Sequence, residues 1–127
     1  MHRIGQVLFM LSAVTCAAVG TPSIAQDAAA GKQAYAQCAV CHSTDGTNGV
    51  GPGLQGVLGR KAGAFAGFRY SRAMKGAAIT WDDKSLDAYL SDPQKMVPGN
   101  VMPFSGVVDA RQRADLIAYL KTLKIAH

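Results

Sequence analysis

Two thiols and an imidazole stand within five consecutive residues, Cys38-Ala39-Val40-Cys41-His42. Cysteines separated by two residues can each add to one of the two vinyl groups of a single haem. A histidine directly after the second cysteine is then held beneath the iron as an axial ligand. Other uses of such a pair want a different setting. A thioredoxin-type redox couple wants a βαβ context, and strand-forming runs are sparse here. A zinc site wants a fourth sulfur, imidazole or carboxylate ligand, and after His42 the next histidine is His127, the last residue. A disulfide across so short a loop constrains little of the unfolded chain. The spacing therefore points to one haem c, covalent through Cys38 and Cys41.

An axial histidine binds through one ring nitrogen, and its other N–H then wants an acceptor. Pro52 suits that role, because proline offers a carbonyl with no N–H of its own to compete. The sixth iron position calls for a ligand from elsewhere in the chain, and a soft thioether there favours reduced iron and raises its potential. The methionines past the N-terminal apolar segment are Met74, Met96 and Met102. Met74 falls in an expected short helix and Met96 in an expected turn. Met102 sits in the rigid stretch between Pro98 and Pro103, sixty residues past His42, enough chain to pass around a haem and return over its other face. Met102 is the favoured ligand and the other two are the alternatives. Iron held by two strong protein ligands has no open position for substrate, which favours a one-electron carrier, not an enzyme. The competing reading, a haem enzyme or gas sensor, wants a labile distal ligand and an acid–base group beside it. The chain has no Glu and no spare interior histidine for that task.

Few elements are available to position these groups. Asp27 can cap a first helix running through Ala28 to Tyr35 toward Cys41, with Gly31 and Tyr35 on one face. Residues 43–59 are rich in glycine and read as loop. The stretch from Arg60 to Gly76 is mostly irregular, with one short helix at Ser71 to Lys75. Thr80-Trp81-Asp82-Asp83 resembles a capping box opening a helix to about Leu90, on which Leu86, Tyr89 and Leu90 share a face. Asp92-Pro93 ends it, a turn follows at Pro93 to Met96, and two prolines and a glycine keep 97–103 from being helix. Asp109 caps a last helix, with Gln112 as the reciprocal partner and Leu116, Ile117, Leu120 and Leu123 as the apolar face. Lys121 and Lys124 suit the dipole at its end. The expectation is an all-α fold of three main helices, short helical turns and long loops. Long structureless loops normally count against an assignment in so small a domain. They become reasonable when wrapped around a large apolar cofactor that supplies the missing core.

The first 25 residues read as an export leader, not as part of the fold. Met1-His2-Arg3 is followed by an uncharged, largely apolar run from Ile4 to Val19, and Ser23-Ile24-Ala25 has the form of a cleavage site. The alternative is an uncleaved membrane anchor, although the apolar run is short for a full span. Lipid attachment at Cys16 is disfavoured by the Ala13-Val14-Thr15 that precedes it. Cleavage after Ala25 leaves one domain, 26–127, in the periplasm. Without Arg3, twelve Lys/Arg face eight Asp, a formal +4. These charges are interspersed and no basic block carries interleaved aromatics, so nucleic-acid binding has no support. A mildly cationic face meeting acidic proteins is the better reading, with Lys32, Lys61, Lys95 and Lys121 as candidates for the haem rim.

From Gly31 to Lys121 the chain resembles the class I c-type cytochromes, the family of mitochondrial cytochrome c and its soluble bacterial relatives. Gly31 and Tyr35 resemble the first-helix contact that meets the last helix near Leu116 and Tyr119. Gly51-Pro52-Gly53-Leu54 resembles the loop that orients the axial histidine. The resemblance implies that Arg60, Tyr70 and Trp81 surround the haem propionates and that Tyr89 places a hydroxyl near the methionine sulfur. Leu90, Pro93, Pro98, Gly99 and Met102 complete the distal pattern. It further implies the cytochrome c fold, His/Met ligation and a monomer. The implied partners are redox proteins such as membrane cytochrome complexes, oxidases or reductases, with transient contact at a membrane surface. The chain departs from the mitochondrial form at Val101, where lysine is usual, at Asn100 in place of threonine, and at Met74 in place of asparagine.

Overall fold

The computed structural model describes residues 15–20 and 26–125. Most of the expected leader lies outside them. The elements are α1 (Ala28–Ala34), a 3-10 turn (Tyr35–Gln37), α2 (Arg72–Lys75), α3 (Asp83–Ser91), α4 (Pro93–Met96) and α5 (Ala110–Leu120). Among the described residues extended pairing is limited to one antiparallel bridge, Lys61 with Thr80. The all-α architecture with three main helices is the one expected from the sequence.

The principal packing contact is the crossing of α1 with α5. It is set by Gly31, where an added Cβ would lie 1.9 Å from the Asp115 carbonyl oxygen and 2.9 Å from the Tyr119 Cβ. Only a residue without a side chain lets the two backbones approach so closely. The crossing is fixed on either side of that point. The Asp27 N–H donates to the buried Asp115 carboxylate at 2.8 Å, while Asp27 itself caps α1 by accepting from the Ala29 and Ala30 N–H groups. One turn on, the Tyr35 and Tyr119 rings meet at 5.3 Å. The sequence pattern marked Leu116, Ile117 and Leu120 as core, and all three are buried. Leu123 is only partly buried, because α5 ends at Leu120.

Helix ends depart from expectation in three places. The box that opens α3 is Asp82 with Ser85, not Thr80 with Asp83. Asp82 Oδ1 accepts from the Ser85 N–H at 2.7 Å, and Ser85 Oγ accepts from the Asp82 N–H at 2.8 Å. Thr80 is engaged in the bridge with Lys61, so its backbone continues an extended segment and cannot start a helix. The Ser85 N–H holds the Asp82 carboxyl below the usual carboxylate range. At α5, Asp109 accepts from the Gln112 N–H at 2.7 Å, but Gln112 does not return the bond that would complete a box. Lys121 lies just past the end of α5, and its ammonium pairs with Asp83 on α3. Exposed pairs of this kind contribute at most about 1 kcal/mol.

The segment 104–108 lies along the end of α3, where the Val107 N–H donates to Leu90 O at 2.7 Å. Arg113 braces it from α5. Its Nε pairs with Asp87 at 2.7 Å, and its Nη1 donates to the carbonyls of Val107 and Val108 at 2.9 and 2.8 Å.

The crossing yields a direct expectation. Alanine is favoured over glycine in a helix by about 1 kcal/mol, yet Gly31→Ala should destabilise the chain by at least about 2 kcal/mol through overpacking against Asp115. A drop in the denaturation midpoint at unchanged m-value is the measurement that checks it.

Candidate functional site

The end of α1 delivers the thiols. At Tyr35 the helix tightens, with the Cys38 and Ala39 N–H groups both donating to Tyr35 O, and the next turn closes with the Cys41 and His42 N–H groups donating to Cys38 O. Both thiols are partly buried and unpaired. Burial, and then the neighbouring Cys41, push the Cys38 thiol above its ordinary pKa. The Tyr35 hydroxyl donates to His42 O at 2.8 Å, tying the motif back to the helix that carries it. Burial of that phenol, with Cys38 adding to it, raises its pKa to about 12.

The imidazole of His42 is fixed by the loop that follows. His42 Nδ1 lies 2.7 Å from Pro52 O. A carbonyl can only accept, so Nδ1 carries a hydrogen, and in the neutral imidazole the lone pair is then on Nε2. The ring packs flat on Gly51, where an added Cβ would lie 2.5 Å from a ring carbon. Around this contact the loop is knit by Gly51 N–H to Cys41 O at 2.8 Å, Gly53 N–H to Asn48 Oδ1 at 3.1 Å and Asn48 Nδ2 to Ala66 O at 3.0 Å. Arg60 braces it from outside. Its guanidinium donates to Gly53 O at 3.0 Å and to Gln55 O at 3.3 Å, and lies 4.1 Å over the Phe65 ring. Burial pulls the Arg60 pKa down. The antiparallel bridge then sets Trp81 beside Arg60, with the Trp81 N–H donating to Arg60 O at 3.0 Å.

Met102 arrives from the other end of the chain. Val97-Pro98-Gly99-Asn100 forms a turn closed by the Asn100 N–H to Val97 O at 3.1 Å. Proline at its second position and Gly99 at φ +86° are the residues a type II turn requires. The thioether sulfur lies 3.9 Å from the Tyr89 hydroxyl, which donates to it. Tyr89 in turn packs against Trp81, the two rings 5.1 Å apart and tilted by 52°, and burial raises its phenol pKa to about 12.

These parts enclose a single cavity of about 250 Å³. Cys38, Cys41, His42, Pro52, Arg60, Tyr70, Trp81, Tyr89 and Met102 all line it, so the thiols, the favoured ligands and the expected pocket residues are brought to one place. Met74 also lines it and Met96 does not. Most of the remaining wall is apolar, including Leu54, Phe68, Leu86, Leu90, Leu116 and Leu120. Val50 and Val101, 74% and 73% exposed, mark its mouth. Lys32, Lys61, Lys95 and Lys121 are exposed and none forms the wall; Arg60 is the cation there.

The donor set fits a covalent haem. Two unpaired thiols, an imidazole and a thioether line a mainly apolar cavity, with Arg60, Tyr70 and Trp81 among its few polar side chains. The sequence reading missed the wall formed by Leu116 and Leu120, which periodicity could mark only as core. It also missed the Tyr35–His42 hydroxyl bond, for which no local pattern exists. If Gly51 is what seats the ring, Gly51→Ala should displace it from Pro52. The slowly exchanging Nδ1–H resonance of His42 should then disappear from the proton NMR spectrum.

Comparison with known proteins gives the same answer. Residues 28–124 match the family described as Cytochrome c. The chain is 47% identical to cytochrome c2 of Blastochloris viridis over 123 residues, covering 95% of this chain and 93% of that protein. It is also 47% identical to cytochrome c of Euglena viridis over 100 residues, covering 77% and 98% respectively. The solved structure of cytochrome cH from Methylobacterium extorquens superposes with a TM-score of 0.74 at 49% identity, covering 76% of this chain and 98% of that one. With the attachment motif, the cavity and the helix crossing each in place, the chain belongs to the cytochrome c family.

Proposed function

We propose that the chain is a soluble one-electron carrier of the periplasm, exported by a leader removed after Ala25 and working as the domain 26–127. The observation that carries this reading is the convergence of His42 and Met102 on one cavity beside the Cys38 and Cys41 thiols. Haem c, when bound, supplies an iron centre that alternates between Fe(II) and Fe(III).

The residues divide that work. Cys38 and Cys41 tether the group through thioether bonds. His42 offers Nε2 to the iron, and its bond to Pro52 O fixes the tautomer and makes the imidazole a stronger donor. Met102 offers its thioether as the second ligand. A hydrogen bond from Tyr89 to the sulfur fixes the side chain's direction. Arg60, Tyr70 and Trp81 supply the donors that carboxylates inside an apolar cavity need. His42 and Met102 would both hold the iron, and because each is supported by hydrogen bonds a change of oxidation state would move few atoms. That favours rapid exchange and leaves no place for substrate. The mildly basic surface suits acidic faces on redox partners, such as membrane cytochrome complexes, oxidases or reductases, met transiently by the monomer.

Met102→Ala is the deciding variant. The parent should show a six-coordinate low-spin spectrum with the methionine–iron(III) charge-transfer band. The variant should lose that band, take up small ligands and fall in midpoint potential. A parent that is high-spin and binds added ligands readily would identify a haem enzyme or sensor instead. Separately, the rate of electron exchange with an acidic partner should fall as salt is raised toward 0.1 M, where the Debye length shrinks to about 10 Å; stopped-flow kinetics across that range checks it.

A further inference from the structure

Asn100 is buried, with 6% of its surface exposed, and it belongs to the loop that carries Met102. Its amide is fully engaged. Nδ2 donates to Pro93 O and to Val97 O, both at 2.9 Å, and Oδ1 accepts from the Met102 N–H at 3.0 Å. The first partner is the opening residue of α4, the second is the start of the type II turn, and the third is the methionine itself. One side chain thus ties the backbone of Met102 to a helix and to the turn that precedes it. A second amide supports the first from outside, for Gln94 Nε2 donates to Asn100 O at 2.9 Å and Gln94 Oε1 accepts from the Gly99 N–H at 3.4 Å.

The donor and acceptor pattern is selective. The side chain donates to two carbonyls and accepts from one N–H, and a primary amide is the side chain that offers both at once. A carboxylate would set negative oxygens against two carbonyls. A threonine hydroxyl has one proton and cannot serve both. Loss of the amide leaves the part-buried Met102 N–H without a partner, a larger cost than the bond's net worth, and takes from Pro93 O and Val97 O the second donor that each receives beside a backbone N–H.

We propose that Asn100 is a positioning residue for the sixth ligand, holding the 97–103 loop in the ligating conformation so that Met102 resists displacement. This rests on Met102 being that ligand. Loosening the loop favours states in which the thioether is withdrawn, so a competing ligand gains access to the iron in proportion to their population.

The test uses the holoprotein with imidazole as probe. In Asn100→Ala, affinity of the ferric protein for imidazole should rise about tenfold or more, and protection of the Met102 amide against hydrogen exchange should fall by a similar factor. Gln94→Ala is exposed and removes only the outer support. It should shift both readouts in the same direction by about threefold, and it carries the test if Asn100→Ala does not assemble. Asp115→Ala serves as the control, because it weakens the α1–α5 crossing far from the loop. It should lower global stability without raising imidazole affinity. Equal rises in the control and the Asn100 variant, or no rise in either loop variant, would overturn the proposal. A parent without the methionine–iron band would instead sink the ligand assignment, and Met102 amide exchange would still report whether Asn100 holds the loop.

Discussion

Everything else in the molecule depends on two helix backbones meeting at Gly31. The missing side chain lets α1 lie against the Asp115 carbonyl of α5, and that contact decides two directions at once. The end of α1 is aimed so that its tightening turn carries Cys38, Cys41 and His42 to the cavity. The facing side of α5 contributes Leu116 and Leu120 to the wall of the same cavity. Tertiary packing of this kind is also what makes a helix as short as α1, with seven residues, stable at all. The attachment site is therefore built on the end of a helix that takes part in the fold's principal packing contact.

Loops do the work that helices do in larger proteins. Between α1 and α3 the chain makes little regular structure, yet among the described residues no buried side-chain polar atom lacks a partner. The reason is that side chains take over pairings normally made by secondary structure. Asn48 holds the loop beyond His42, Arg60 caps two of its carbonyls, and Asn100 replaces a turn of helix before Met102. Such loops are specific without being regular. They can hold an imidazole and a thioether in fixed places while leaving the centre of the domain free for a cofactor.

Charge plays a smaller part inside than outside. Among the described residues the only Lys or Arg on the cavity wall is Arg60, and its guanidinium donates to Gly53 and Gln55. The lysines lie exposed on several elements, and one of them, Lys121, is committed to Asp83. Two apolar side chains that line the cavity, Val50 and Val101, are exposed. Exposed charge and exposed apolar surface beside the cavity thus fall to different residues.

Local patterns made much of this legible. The Cys38–His42 spacing named the chemistry, because thiols two apart with an adjacent imidazole have few other uses. Proline and glycine placed the Met102 loop, and apolar spacing marked Leu86, Tyr89, Leu90, Leu116, Ile117 and Leu120 as buried, since both signals act within a few residues of themselves. The cap of α3 was misread because Thr80 is held by Lys61, a partner nineteen positions away that no local box reveals. Asp115 and Asn100 were likewise invisible as structural supports, their partners lying on other segments or following from turn geometry. What the sequence determined was which groups the protein has to offer. Tertiary structure alone decided how each group is presented: Pro52 takes Nδ1 of His42 and leaves Nε2, and Met102 lines the cavity with its N–H held by Asn100 and its sulfur accepting from Tyr89. The physical reason is that hydrogen-bond satisfaction is a property of the assembled interior, not of any stretch of chain.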